Sequence, residues 1–114
     1  MNAYQSLSET FRRLAILGDA AGVLHWDAST MMPPGGAGQR GEEVSLLERL
    51  GHDMLVAPET ADLLAEAEES AGDLDETDRL DLGWMRWRHT HASALPGDLV
   101  EAASKAGSRC ETLW

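Results

Sequence analysis

Apolar positions along this chain recur at steps of three and four. Tyr4, Leu7, Phe11, Leu14, Leu17 or Gly18, Ala21 and Leu24 form one stripe. That stripe predicts a first helix of roughly 20 residues, about 30 Å long. Glu9, Arg12, Arg13 and Asp19 fall mostly off it. Pro33-Pro34 then forbids helix, because proline lacks an N–H and pushes the residue before it to extended geometry. A second helix is predicted to begin between Gln39 and Glu42, since Gly35, Gly36, Gly38 and Gly41 weaken anything earlier. Val44, Leu47, Leu50 or Gly51, and Met54 give its stripe.

Pro58-Glu59 opens a predicted third helix, with proline in the first turn and acid near the positive N-terminus. Ala61, Leu64, Ala65 and Ala71 line it, and Gly72 ends it. Asp75 is the predicted N-cap of a fourth helix reaching about Ala92. That helix carries two stripes, nearly opposite at 100° per residue: Leu80, Trp84, Trp87 and His91, then Leu82, Met85, His89 and Ala92. A helix apolar on two sides is expected between neighbours. Pro96-Gly97-Asp98 opens a fifth, with the stripe Leu99, Ala103, Ala106, Cys110 and Leu113. Its pattern reaches Trp114 with no closing Gly, Asn or Pro. Large apolar residues are unusual at a frayed terminus, so the chain is expected to be cut from a longer one or to pack there on a partner. No strand pattern and no repeat occurs. The expected class is all-α, about five helices in a bundle-like or layered arrangement, with residues 1–114 as one segment.

The 114 residues suit one small domain or part of a larger one. Twenty Asp and Glu against nine Lys and Arg give a net charge of −11. Nucleic acid and anionic lipid are therefore not expected partners, since both need clustered cations. Cys110 is the one cysteine, so no intrachain disulfide forms, which suits a reducing compartment. Neither a secretory signal nor an apolar run of ~20 residues is visible. The expectation is a soluble, cytoplasmic protein with no membrane partner.

Candidate chemistry is sparse. A helical zinc site needs two histidines one turn apart with a glutamate between. His89 and His91 are two residues apart and diverge by about 200° on a helix, and His25 and His52 lack nearby ligand partners. His89 and His91 are expected on two packing faces, satisfied by hydrogen bonds. The stretch Asp73-Leu74-Asp75-Glu76-Thr77-Asp78 echoes a calcium loop, but Asp78 and Trp84 occupy the places that need Gly and Glu. Cys110 lies at an apolar helical position and reads as a small buried hydrophobe. Gly35-Gly36-Ala37-Gly38 lacks the Lys-Ser/Thr of a phosphate loop. Glu42 and Glu43, and Glu66, Glu68 and Glu69, read as exposed acids rather than a catalytic pair.

The segment His25-Trp26-Asp27-Ala28-Ser29-Thr30-Met31-Met32-Pro33-Pro34-Gly35-Gly36 is expected to form a rigid corner between two helices. Trp26 and Asp27 would end the first helix, the indole packing and donating its N–H. The Asp27 carboxylate would accept from turn amides or Thr30. A ligand-contacting loop is the other possibility.

That segment, with Leu24 before it, resembles the W-D-x-x-T-x-M-P-x-G-(G/A) stretch near the start of the carboxypeptidase Taq family. The resemblance continues through Tyr4-x-x-Leu7, Arg40-x-Glu42, Leu50-x-His52-x-x-Leu55 and Pro58-Glu59. It closes on "ALPGDLVEAASKAGSRCETLW", residues 94–114. It implies a mostly helical zinc metallocarboxypeptidase that releases C-terminal amino acids from peptides, commonly a homo-oligomer (a dimer). Family members are several times longer, and their H-E-x-x-H helix and later Glu ligand lie downstream of the matched region. No family ligand or catalytic Glu carries over, so catalytic, cofactor-binding and metal residues are all assigned as none. Zinc would belong to the full-length parent and not to this segment, whose partners would be the remainder of that enzyme and, in the parent, peptide substrates. The expected role is an inactive wall or cover of the substrate cleft. The rival is a stand-alone acidic helical protein-interaction module.

Overall fold

The computed structural model describes all 114 residues. It holds five α-helices and no strand: α1 Ala3–Thr30, α2 Ala37–Val56, α3 Pro58–Glu69, α4 Glu76–Ser93 and α5 Gly97–Leu113. Short 3-10 turns occupy Pro34–Gly36 and Ala71–Asp73. The molecule measures 53 × 25 × 20 Å, with a radius of gyration of 16.7 Å. A rounded domain of this length would be near 13 Å, so the helices form an elongated layer.

The first helix exceeds its expected length. Asn2 caps it, accepting from the Gln5 amide while the Gln5 side chain accepts from the Asn2 amide. It then runs on through Trp26 and Asp27 to Thr30, because nothing before Pro33 removes a backbone donor. The Ser29 and Thr30 hydroxyls turn back onto the His25 and Trp26 carbonyls at 3.1 and 2.8 Å. The predicted stripe is the packed side: Leu7 and Leu14 are buried, while Tyr4, Phe11, Leu17, Ala21 and Leu24 are half-buried. Gly18 is exposed.

The second helix starts at Ala37, ahead of the expected Gln39, because the 3-10 turn at Pro34–Gly36 passes directly into it. Gly38 and Gly41 lie inside it. Of the alternatives Leu50 and Gly51, the glycine takes the interface; its Cα faces Leu14, while Leu50 is 45% exposed. Val44, Ser45 and Leu55 are the buried positions, Ser45 donating to the Glu42 carbonyl. The third helix closes at Glu69, three residues short of Gly72. It buries Thr60, Leu64 and Ala67 and leaves Ala65 exposed, since the Thr60 hydroxyl donates to the Met54 carbonyl and so tolerates burial. Asp75 caps α4 as predicted, accepting from the Asp78 amide at 2.8 Å.

The core is one cluster where α1, α3 and α4 meet: Ala3, Leu7, Leu64, Ala67, Leu82 and Met85. Only 11 of the 114 residues are buried, so it is a thin core. The fourth helix is not sandwiched within this chain. Leu82 and Met85 are buried, whereas Leu80, Trp84 and Trp87 are 72%, 55% and 50% exposed.

The fifth helix differs most from expectation. None of its residues is buried. Its half-buried positions are Gly97, Val100, Glu101, Ser104, Lys105 and Ser108, and the predicted stripe of Leu99, Ala103, Ala106, Cys110 and Leu113 is exposed. At 100° per residue those two sets lie on opposite sides of the helix. The docked side is fixed by close fits to α2: a Cβ on Gly41 would stand 3.3 Å from Ser108 Cβ, and one on Gly97 2.6 Å from Arg49 Nε. The Arg49 guanidinium bridges the pair, Nε to Asp53 Oδ1 at 3.1 Å and Nη1 to Glu101 Oε2 at 3.3 Å.

Candidate functional site

The corner at residues 25–36 is held by a contact that the sequence reading did not assign. Arg40, on the first turns of α2, reaches back to the end of α1. Its Nη1 donates to Asp27 Oδ2 at 2.7 Å and to the Leu24 carbonyl at 2.9 Å. Asp27 therefore receives a guanidinium rather than turn amides or Thr30, and the pair staples α1 to α2. Arg40 Nε is buried without a hydrogen bond, 3.5 Å from Glu43 Oε1. Trp26 points outward at 62% exposed, beside Gly18, Asp19, Gly22 and Val23 in a shallow surface groove, so its ring does not pack the corner. Met32 lies against Gly36, where a Cβ would be 3.2 Å from Met32 Cγ. An Asp and an Arg flanking a double proline were the available signal, but spacing alone does not say that they meet.

The four histidines stay apart. His25 Nε2 is 3.6 Å from Glu48 Oε1 on a half-exposed face between α1 and α2. His52 is half-buried on α2. His89 is half-buried beside the core, where burial, with Arg86 adding to it, lowers its pKa below the usual histidine value. His91 is exposed on the opposite side, its Nδ1 2.9 Å from the Trp87 carbonyl. Nowhere do three His, Cys, Asp or Glu side chains converge on a point that a metal ion could occupy.

Several of the acids hold the fold together. Tyr4 donates to Asp78 Oδ1 at 3.1 Å and Asp81 Oδ2 at 2.9 Å. Burial, then the hydrogen bond to Asp81, pushes the phenol up to about 12. Glu68 accepts from Arg86 Nε and Nη2, tying α3 to α4. Glu43 sits near Arg40, and Glu66 and Glu69 are exposed. Asp73 closes a 3-10 turn and Asp75 caps α4, so the acidic stretch 73–78 is a helix entry. Cys110 is exposed, contrary to the buried position expected, because α5 turns its other side to α2.

Two surface features remain. A cavity of about 650 Å³ opens between the start of α2 and the end of α5, with Gly38, Gly41 and Glu42 facing Lys105, Ser108 and Arg109. On α4, the Trp84 and Trp87 rings stack at 4.9 Å and 12°, and His91 lies 4.1 Å from Trp87. Neither brings a nucleophile, a base and an orienting group together, which hydrolysis without a metal would need.

Residues 6–114 match the model of the carboxypeptidase Taq (M32) metallopeptidases. Thermostable carboxypeptidase 1 of Thermus thermophilus is 30% identical, over 98% of this chain and 22% of its own length. The structure superposes on Trypanosoma cruzi metallocarboxypeptidase 1 with a TM-score of 0.83 at 35% identity, covering 88% of this chain and 20% of that one. The chain spans about a fifth of the length of these relatives.

Proposed function

The chain belongs to the carboxypeptidase Taq (M32) metallopeptidase family, and from that premise we propose that it is the N-terminal helical part of a zinc-dependent enzyme. That enzyme releases C-terminal amino acids from peptides, and this part is inactive alone. Its role is a wall or cover of the substrate cleft in a cytoplasmic homo-oligomer. No helix is long and apolar enough to cross a membrane. The observation that carries the reading is the match along nearly the whole chain to about a fifth of each relative.

The residues present do not fit a zinc centre. No H-E-x-x-H occurs, and His25, His52, His89 and His91 lie on separate faces. What its side chains do is hold shape: Arg40 locks the α1–α2 corner, Tyr4 and Arg86 lock α4 to the α1 and α3 side, and Gly36 permits the close approach of Met32.

A peptidase assay tests the reading directly. The 114-residue chain with added zinc is expected to leave blocked peptides intact, and a longer enzyme that contains it to trim them from the C-terminus. Release of C-terminal residues by the short chain would refute the assignment. An H-E-x-x-H further along the gene decides for the enzyme; the interaction module, which draws on the bare stripes of α4 and α5, requires none.

A further inference from the structure

The fifth helix is docked by its polar side. Its half-buried side toward α2 carries Gly97, Glu101, Ser104, Lys105 and Ser108 with Val100 as its one large apolar residue, and to solvent it presents Leu99, Ala103, Ala106, Cys110 and Leu113. Leu99 and Leu113 are 51% and 88% exposed. An amphipathic helix normally turns its apolar stripe inward, because that is where burial stabilises it. The bare stripe also has a forerunner. From Leu80 through Trp84, Trp87, His91 and Leu95 to Leu99, the steps are four, three, four, four and four residues. Only the three-residue turn Ala94–Pro96, extended at Pro96, separates the bare stripe of α4 from that of α5.

Resting on the reading above, we infer that Trp84, Trp87, Leu99, Ala103, Ala106 and Cys110 form one seam that docks the remainder of the longer parent chain. Three observations select that occupant. The relatives carry about four fifths of their length outside the matched region. The middle of the α5 stripe is small, with Ala103, Ala106 and Cys110 between two leucines, which suits a helix packed at the close end of the usual 8–10 Å spacing. A second copy is a poor occupant, since each copy brings a net charge of −11 and like charge opposes apposition. The seam accounts for both departures from expectation: the second face of α4 and the outward stripe of α5 are filled by the same body.

Cys110 reports on this without disturbing it. In the native longer enzyme, alkylation of the peptide carrying Cys110, followed by mass spectrometry, is expected to run at least about tenfold slower than in guanidinium. The isolated 114-residue chain is expected to react at close to the unprotected rate. Native labelling within about threefold of the denatured rate overturns the seam. Ala106→Glu gives a second measurement: it should leave the helix content of the 114-residue chain unchanged and lower the unfolding temperature of the longer enzyme. An unchanged longer enzyme overturns the proposal. The two readings fail separately. A longer peptidase with an open Cys110 removes the seam alone, and a longer chain that protects Cys110 yet never cleaves peptides supports the seam and removes the function.

Discussion

The two ends of this molecule hold their helices together by different means. Where α1, α3 and α4 meet, Leu7 and Leu64 are wholly buried and Ala67, Leu82 and Met85 nearly so. Where α2 meets α5, the contact is made of glycine, serine, the Arg49–Glu101 pair and a half-buried Val100, while Leu99 and Leu113 of α5 face outward. The first region gains from taking apolar surface out of water, a gain that is large and nearly independent of salt. The second gains from shape and from partly exposed ion pairs, which are individually weak and screened by salt. Helix formation alone therefore does not show how firmly an element is held. The fifth helix is as regular as the third, yet it buries none of its residues where the third buries Thr60, Leu64 and Ala67.

The largest expected effect lies in the core. Leu64→Ala leaves a cavity where no solvent reaches and should cost about 2–5 kcal/mol. Leu99→Ala on the bare side of α5 should change stability by less than about 0.5 kcal/mol. Urea unfolding followed by far-ultraviolet circular dichroism measures both in the 114-residue chain. Equal losses would erase the distinction between the two regions.

Next comes the fit of α5 on α2. Gly41→Leu places a branched side chain where even a Cβ stands 3.3 Å from Ser108 Cβ. Ser108 Cβ is fixed to the α5 backbone, so the helix itself must move, at about 1–3 kcal/mol. Gly18→Ala is the control: nothing lies within 4 Å of the added carbon. There the gain in helix propensity should stabilise by roughly 0.5–1 kcal/mol. Hydrogen exchange should show α5 opening in the Gly41 variant while the amides of Leu64 and Leu82 stay protected. Loss of protection at all sites together would mean that the two regions unfold as one.

Tyr4→Phe sharpens the first region by pH. The phenol donates to two carboxylates and should contribute about 1–2 kcal/mol after allowance for exposure. Its folded pKa of about 12 exceeds the ordinary value of 10.0. The unfolded chain therefore loses the proton first, and the contribution is complete below pH 10 and fades as pH rises toward 12. The advantage of the native residue over the Phe variant should shrink across that window, as read from unfolding midpoints at pH 8, 10 and 11.5. A gap that stays constant through pH 11.5 would detach Tyr4 from its carboxylates.

Much of this was legible beforehand, and the failures have physical causes. Five helices, the Asp75 cap and the packed side of α1 follow from period and capping chemistry, which are local. The Arg40–Asp27 staple was not legible, because two charged residues 13 apart across a double proline carry no orientation. The exposure of Cys110 was missed for a related reason. A stripe tells which side of a helix wants burial, and only the tertiary neighbour decides whether it is buried within the same chain. His89 and His91 diverge as their spacing requires, but only His89 is on a packing face; His91 is exposed, and its ring rather than that of His89 has the hydrogen bond. No signal in the sequence foretold that α5 would pack by Gly97 and Ser108, because small residues look alike whether they face a neighbour or water.

The smallest effect tests the second region most directly. Arg49 lies across the start of α5, bonded to Asp53 and Glu101, with its side chain 33% exposed. Removing it with Arg49→Ala deletes two ion pairs and leaves both carboxylates free to hydrate, so the loss should be only about 0.2–1 kcal/mol. Arg49→Lys should behave almost the same, because one ammonium cannot span both acids with the geometry of the guanidinium. Salt should act on the native chain in the same direction. At 1 M the screening length is about 3 Å, so the α5 amides should exchange faster while those of the core hold. If Arg49→Ala instead cost as much as Leu64→Ala, the polar seam would be an anchor in its own right. The outward stripe of α5 would then need no further partner to explain why that helix stays in place.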